Sequence, residues 1–413
     1  MLKNKSVLAW AFYDWANSVF ATVVIAGLFP VVFKQYWASS LEADESTFWL
    51  GAANSTASLL IVVLAPLLGA IADCAGIRKR MLIVFMTLGV VSTGLLFPLE
   101  SGYWWLALVF YVLGTLGFMG ANIFYDAMLL DVSKGHHVDR VSGFGFGMGY
   151  LGGGLLLAFS IFMSQSFVSF GFAESIDAVL FSFLLAALWW WLFTIPLMIW
   201  VKESSAISSF SMGHVFSETA NTLKTVLRNP QIRLFLFAYW IYIDGVDTII
   251  RMAVDYGLAL GFGADDLILA LLITQFVGFP AAIIYTYIGD KIGTRLALLA
   301  GIFIYGLITL LGYSMTSVSE FYFLAILIGF VQGGVQALSR SFYARMIPPD
   351  RAAEYFGVYN MMGKAAAVLG PLIMGGVTLL TGNHRYAILS ICVLFVVGFV
   401  LLAMVKSPDE QQV

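Results

Sequence analysis

Apolar runs of about 20 residues or more recur along the whole 413-residue chain, separated by short polar stretches. Each run is long enough to cross a hydrocarbon core of about 30 Å as a helix. The pattern predicts twelve spans, in two sets of six. The first set covers residues 7–33, 47–72, 81–99, 104–130, 141–164 and 177–200, and the second covers 232–258, 266–289, 296–315, 320–342, 353–380 and 386–406. Helices are expected rather than barrel strands, because a helix satisfies its own backbone hydrogen bonds in lipid.

Polar positions inside these runs are patterned. In the seventh, IYIDGVDTIIRMAVDYG (residues 241–257), Asp244, Asp247, Arg251 and Asp255 fall within an arc of about 80° at 100° per residue. They form one stripe, either the wet side of a soluble helix or the lining of a path through a membrane. Composition decides between these: 61% of residues are hydrophobic and 11% charged, against about 25% charged in an average soluble domain.

The net charge of -3 says less than the placement of the basic residues. Lys3, Lys5, Arg78, Lys79, Arg80, Lys134, Arg140, Lys202, Arg340, Arg345 and Arg351 are among those on one predicted side, and Glu42, Asp44, Glu45, Glu100, Asp265 and Asp266 on the other, where Lys34 and Arg385 are the basic exceptions. By the positive-inside rule both termini are expected in the cytoplasm, in a multi-pass protein of the cytoplasmic (inner) membrane. The first run carries Asp14 and is longer than a signal-peptide core, so it is read as a retained helix. Cys74 and Cys392 suggest neither a disulfide nor a metal framework. The adjacent His136 and His137 beside Asp139 read as a solvated loop rather than a metal site.

A loop signature repeats between the halves. DCAGIR (residues 73–78) follows the second run and DKIGTR (residues 290–295) the eighth, both reading D-x-x-G-x-R, with a weaker echo at Asp139–Arg140 and Asp350–Arg351. A duplicated six-span unit is implied. The expected organisation is a bundle over residues 1–201, a linker over 202–231 and a second bundle over 232–413. Within the linker, Phe216, Ala220, Leu223 and Leu227 recur at helical spacing and predict a surface helix ended by Asn229 and Pro230. It either simply joins the halves or regulates them. In the fifth run Gly145, Gly149 and Gly153 recur every four residues, which suits close helix packing or sliding.

GAIADCAGIRKR (residues 69–80) matches the G-x-x-x-D-x-x-G-x-R-[KR]-[KR] loop of the major facilitator superfamily. AFYDWANSVFATVV (residues 11–24), FPVVFKQYW (residues 29–37) and QALSRSFYARMIPPDRAAEYFGVYNMMGKAAAVLGP (residues 336–371) resemble its vacuole-effluxer-like branch, over nearly the whole chain. The resemblance implies the all-α major facilitator fold, two pseudo-symmetric six-helix bundles with the first, fourth, seventh and tenth helices around a central cavity. It also implies secondary transport, with amino-acid efflux assigned to the family's fungal vacuolar member. The chain departs from the superfamily's antiporter motif, whose proline is missing from GYLGGG in the fifth run.

A charge at the bilayer centre costs roughly 2.5–3.5 kcal/mol unless paired or wet. Asp247 and Arg251 are spaced to pair on adjacent turns, which leaves Asp244 as a spare carboxylate and the expected site of proton coupling. Asp14 and Asn17 repeat the spacing of Asp244 and Asp247 in the first run. Asn122, Tyr125 and Asp126 in the fourth, and Gln332 and Gln336 in the tenth, share helical faces. Their amides either bind a polar solute or hold helices together. Lys364 either pairs with Asp14 or Asp126 or receives a substrate carboxylate. By resemblance, Asp73 pairs near the start of the eleventh helix and, with Gly76 and Arg78, holds the cytoplasmic gate; Asp290, Gly293 and Arg295 form a weaker second copy.

No phosphate-binding loop, nucleophile elbow or zinc helix motif is visible, so neither an ATP-driven pump nor an enzyme is supported, and no cofactor or metal is expected. The reading is a proton-coupled, monomeric carrier exporting an amino acid or related metabolite, with the lipid bilayer as its surroundings and no nucleic-acid partner. A drug or hydrophobic-metabolite exporter is the alternative within the class. A non-transporting receptor is the alternative outside it, and the short loops argue against that.

Overall fold

The computed structural model describes residues 4–134, 137–203, 212–366 and 369–406. Its twelve spans are helical and form two bundles of six. The first bundle comprises Lys5–Trp37, Ala43–Ala75, Arg78–Gly94, Trp104–Val132, Val138–Gln165 and Ser175–Trp200. The second comprises Pro230–Ala259, Ala264–Ile292, Thr294–Ser314, Val318–Ala344, an eleventh helix (Ala352–Ala366 with Leu369–Thr381) and a twelfth (His384–Ser390 with Cys392–Ala403). A linker helix, Met212–Arg228, lies between them. Among the described residues nine helical stretches are apolar and long enough to cross a membrane by themselves. Two others fall short for local reasons, since the third has 17 residues and the seventh carries the charged stripe, and the eleventh is described as two stretches of 15 and 13 residues.

Most helices run a few residues past the apolar run that predicts them, because the polar ends supply caps. Asn4 accepts from Ser6 N at 3.0 Å, and Asn229 accepts from Gln231 N at 3.0 Å with Pro230 at the first helical position. The third helix does the reverse and stops at Gly94 rather than 99. Pro98 has no N–H to give the Gly94 carbonyl and disfavours helical backbone at Phe97. The first span also departs from a regular helix, with π-helical winding over Phe20–Leu28 and Phe33–Trp37. Hydropathy is blind to that winding, since an i→i+5 ladder needs no change in apolar content.

The halves meet along the fifth helix against the eighth and tenth, and along the second against the eleventh. The second and eleventh cross backbone to backbone: a Cβ at Gly357 would stand 2.5 Å from the Ala65 carbonyl oxygen. The glycine stripe of the fifth helix divides its work differently from the sequence pattern. Gly145, Gly149 and Gly153 face the first helix of their own half, while Gly143 and Gly147 meet Thr286 and Phe279 on the eighth. The close surface shared by the two halves is therefore the neighbouring row.

We call the face carrying both described chain ends the inner face. There Ser6 Oγ donates to the Trp200 carbonyl at 3.0 Å, and Lys406 N donates to Gln231 Oε1 at 2.8 Å.

Candidate functional site

A cavity of about 400 Å³ lies between the halves. Its lining runs from Arg340 and Asn360, toward the inner face, to Met315 and Phe321 at the outer ends of the ninth and tenth helices. Asp14, Asn17, Asn122, Tyr125, Asp126, Asp247, Gln332, Gln336 and Lys364 all line it, so most of the polar residues singled out in the sequence converge.

The floor is built around Arg340, which the charge pattern places with the basic residues of the inner side and which is in fact buried within the tenth helix. Its guanidinium donates to Asp126 Oδ1 at 3.1 Å and to the hydroxyl and carbonyl of Ser142, both at 3.0 Å. It also stacks over the Trp10 and Phe146 rings, 4.9 and 4.3 Å from their centroids. The other oxygen of Asp126 accepts from Asn360 Nδ2 at 3.0 Å. Four helices from both halves are thus tied through one ion pair. The sequence carried a signal for this: Gln332, Gln336 and Arg340 recur every four residues on one helical face.

Asp14 stands beside this pair with different company, accepting from Tyr125 Oη at 3.0 Å and Ser18 Oγ at 3.1 Å. Tyr125 is itself stacked on Trp10, with centroids 4.3 Å apart. On the same wall Asn17 donates to Asn122 at 2.6 Å, and across the halves Tyr150 donates to Gln336 at 3.2 Å. The amides therefore both line the cavity and join helices.

Two expected site residues lie elsewhere. Asp244 is fully buried away from the lining, where Oδ1 accepts from the Gly370 backbone N–H at 3.0 Å and from Thr248 Oγ1 at 3.5 Å. Arg251 is exposed and also absent from the lining. An 80° arc is wide enough to be shared: residues three apart differ by about 60°, so Asp244 faces the eleventh helix while Asp247 faces the cavity. The Asp255 side chain lies outside the described residues. Nor does Lys364 take Asp126 as its ion-pair partner, because Arg340 holds that position; Lys364 lines the cavity within electrostatic range of Asp247 and Asp126.

At the inner face two related networks join the halves. Asp73 accepts from Arg78 Nε at 2.5 Å and from the backbone N–H of Glu354, at the start of the eleventh helix, at 2.9 Å. Arg78 also reaches Asp131 at 3.0 Å and the Asp350 carbonyl at 2.6 Å. Gly76 makes this loop possible by adopting φ 65°, and Gly293 turns the second copy at φ 97°. In the second network buried Asp139 accepts from Thr294 Oγ1 at 2.6 Å, from Arg345 at 3.2 Å and from Ser341. The second D-x-x-G-x-R copy is wired differently from the first. Asp290 pairs with Arg140 at 2.6 Å and His137 at 2.8 Å, and Arg295 donates to the Ala403 carbonyl. His137 thus touches Asp290 while its side chain stays largely exposed, and His136 lies outside the described residues. Arg351 links Glu354 to Glu218 of the linker helix. Burial opposes its charge, but Glu354 and Glu218 outweigh that and hold the guanidinium protonated more firmly than usual.

Twelve helices in two bundles, closed by ionic networks on one face and enclosing a polar cavity, define a multi-pass membrane transporter of the major facilitator type. A family model described as "Vacuole effluxer Atg22 like" matches residues 39–411, and the chain belongs to that family. It is 38% identical to the uncharacterized MFS-type transporter YxiO of Bacillus subtilis (strain 168), over 98% of this chain and 96% of that protein. It is 29% identical to autophagy-related protein 22-1 of Penicillium rubens, over 64% of this chain and 49% of that protein, so it spans about half of that relative's length. Among solved structures, the human organic anion transporter MFSD10 (TETRAN) superposes with a TM-score of 0.74 at 15% identity, covering 96% of this chain and 99% of that one.

Proposed function

We propose that the protein exports a small zwitterionic solute, an amino acid or close relative, from the cytoplasm by proton-coupled alternating access. The observation that carries this reading is the presence of both charge signs in one cavity: Asp14, Asp126 and Asp247 with Arg340 and Lys364. An ammonium and a carboxylate on one ligand find opposite partners there, and a desolvated pair of contacts discriminates better than either alone. The family description as a vacuole effluxer supports carrier-mediated movement of a solute out of a compartment, and the outward direction across the cell membrane is part of the proposal. Both termini are taken as cytoplasmic, following the basic residues of the inner face, and the unit is taken as a monomer.

Asp14 is the preferred proton site. Its partners are two hydroxyls, so it takes up a proton without breaking an ion pair, whereas protonating Asp126 would strand Arg340. Asp73, Asp139 and their partners act as the inner gate, engaged in this structure. The outer cavity wall, with Ile308, Phe321, Leu324 and Leu271, favours a second reading in which the solute carries an apolar side chain or is a hydrophobic compound.

The test is uptake into proteoliposomes under an imposed pH gradient, with neutral amino acids, hydrophobic cations and sugars as competing solutes. Accumulation of an amino acid that collapses with the gradient supports the reading. Binding without accumulation makes the protein a receptor, and accumulation of hydrophobic cations alone selects the second reading.

A further inference from the structure

The linker helix Met212–Arg228 presents three faces, and among the described residues the third is only partly covered. One face, with Val215, Thr219, Thr222 and Val226 buried, lies against the protein. Val215 packs on Ala70 and Cys74 of the second helix, and Thr222 donates to Glu354, the residue whose N–H holds Asp73. The polar face carries Ser217, Asn221 and Thr225, all exposed as expected toward water. Between them, about 90–100° round from the buried row at 100° per residue, runs the apolar stripe of Phe216, Ala220, Leu223 and Leu227. Leu223, on the edge nearest the buried row, is half-buried and packs against the core, whereas Phe216 and Leu227 are 56% and 57% exposed.

We propose that this stripe is seated in the inner-leaflet interface of the bilayer, making the linker helix a lipid-anchored latch on the inner gate. The occupant follows from continuity. The second helix turns Leu59, Leu60, Val63 and Leu64 outward as part of the lipid-facing surface of a membrane-spanning bundle. Partly buried Ile71, further along that helix, packs on the same Ala70, Cys74 and Val215 cluster that seats the linker helix. The stripe therefore lies next to a surface that already meets acyl chains. Lys224 is exposed on the border between stripe and polar face and Arg228 just inside the polar face, where the Lys224 stem covers apolar surface and both charges reach anionic headgroups. Protein, lipid and water then occupy successive thirds of one helix. The helix is fixed to the gate side by Glu218 to Arg351 and by Thr222 to Glu354, so leaving the membrane and releasing the gate are coupled movements.

The test uses the full-length protein in vesicles of phosphatidylcholine with phosphatidylglycerol, with Cys74→Ala and Cys392→Ala removing the native thiols. Nitroxides are placed singly through Phe216→Cys, Leu227→Cys, Asn221→Cys and Thr225→Cys. Accessibility to oxygen, which partitions into lipid, is compared with accessibility to a water-soluble nickel chelate. The expected result is an oxygen-to-nickel ratio several-fold higher at 216 and 227 than at 221 and 225. Equal nickel access at all four sites overturns the proposal. Shielding of 216 and 227 from both reagents, relieved by diluting the protein into excess lipid, also overturns it and assigns the face to a second copy of the chain. Cysteine placement at the exposed sites leaves the buried row intact, and a matching near-native unfolding temperature for all four variants guards the comparison.

Discussion

Arg340 and Asp126 form an ion pair with little water around either partner, and a lone charge left there is costly. Arg340→Ala should lower stability by about 3–5 kcal/mol through the stranded Asp126 carboxylate, read as a large fall in thermal unfolding temperature in detergent. The double variant Asp126→Asn with Arg340→Gln should regain most of that stability without regaining transport, which separates the structural from the functional role of the pair. Asp14→Asn should fold normally, lose uphill accumulation under a pH gradient and keep solute counterflow. Concentrative uptake with unchanged pH dependence in that variant would move the proton site to Asp247, the remaining lining aspartate. Asp244→Asn should retain gradient-driven transport, because Asp244 is fully buried outside the cavity lining. Much of this site was legible in the polar spacing of the first, fourth, seventh and tenth helices. Arg340 continues the spacing of Gln332 and Gln336 but was passed over, since a charge two residues from the end of a predicted apolar run reads equally well as loop or as floor.

Among the elements, the crossing of the second and eleventh helices is a close constraint on how the halves meet at the inner face. No side chain fits between Gly357 and the Ala65 carbonyl, so Gly357→Val should force the two helices apart on the inner side. Labels on the inner ends of the second and eleventh helices should then show longer distances, and unchanged distances would mean that the crossing tolerates the added volume. The helices themselves were largely readable from apolar length, whereas the caps at Asn4, Asn229 and Ser317 came from the structure. The π-helical stretch of the first helix was hidden, as was which glycine row of the fifth helix faces the other half, because neither alters the period-3.6 pattern of composition.

On the scale of the molecule, the two inner networks act as a pair of fasteners on either side of a pseudo-two-fold arrangement. Moving an equilibrium from 99:1 to 1:99 takes about 5.5 kcal/mol, more than the roughly 3–5 kcal/mol expected at most from losing one buried partner. Asp73→Asn or Asp139→Asn alone should therefore broaden the inner-face distance distribution, and the two together should shift its main peak to the inward-open value. Spin-label distances between the halves measure this; a double variant indistinguishable from the wild type would remove both networks from the gate. By itself the sequence determined the membrane class, the twelve helices, the duplicated halves and the set of polar residues available for a site, because apolar length and helical period are local quantities. Tertiary structure alone decided which way each of those residues faces: that Asp247 meets the cavity and Asp244 a neighbouring helix, that Arg340 rather than Lys364 answers Asp126, and that the linker helix turns Val215 and not Phe216 to the protein. The reason is that facing depends on which neighbours occupy each side of a helix, and neighbours in a twelve-helix bundle come from distant parts of the chain.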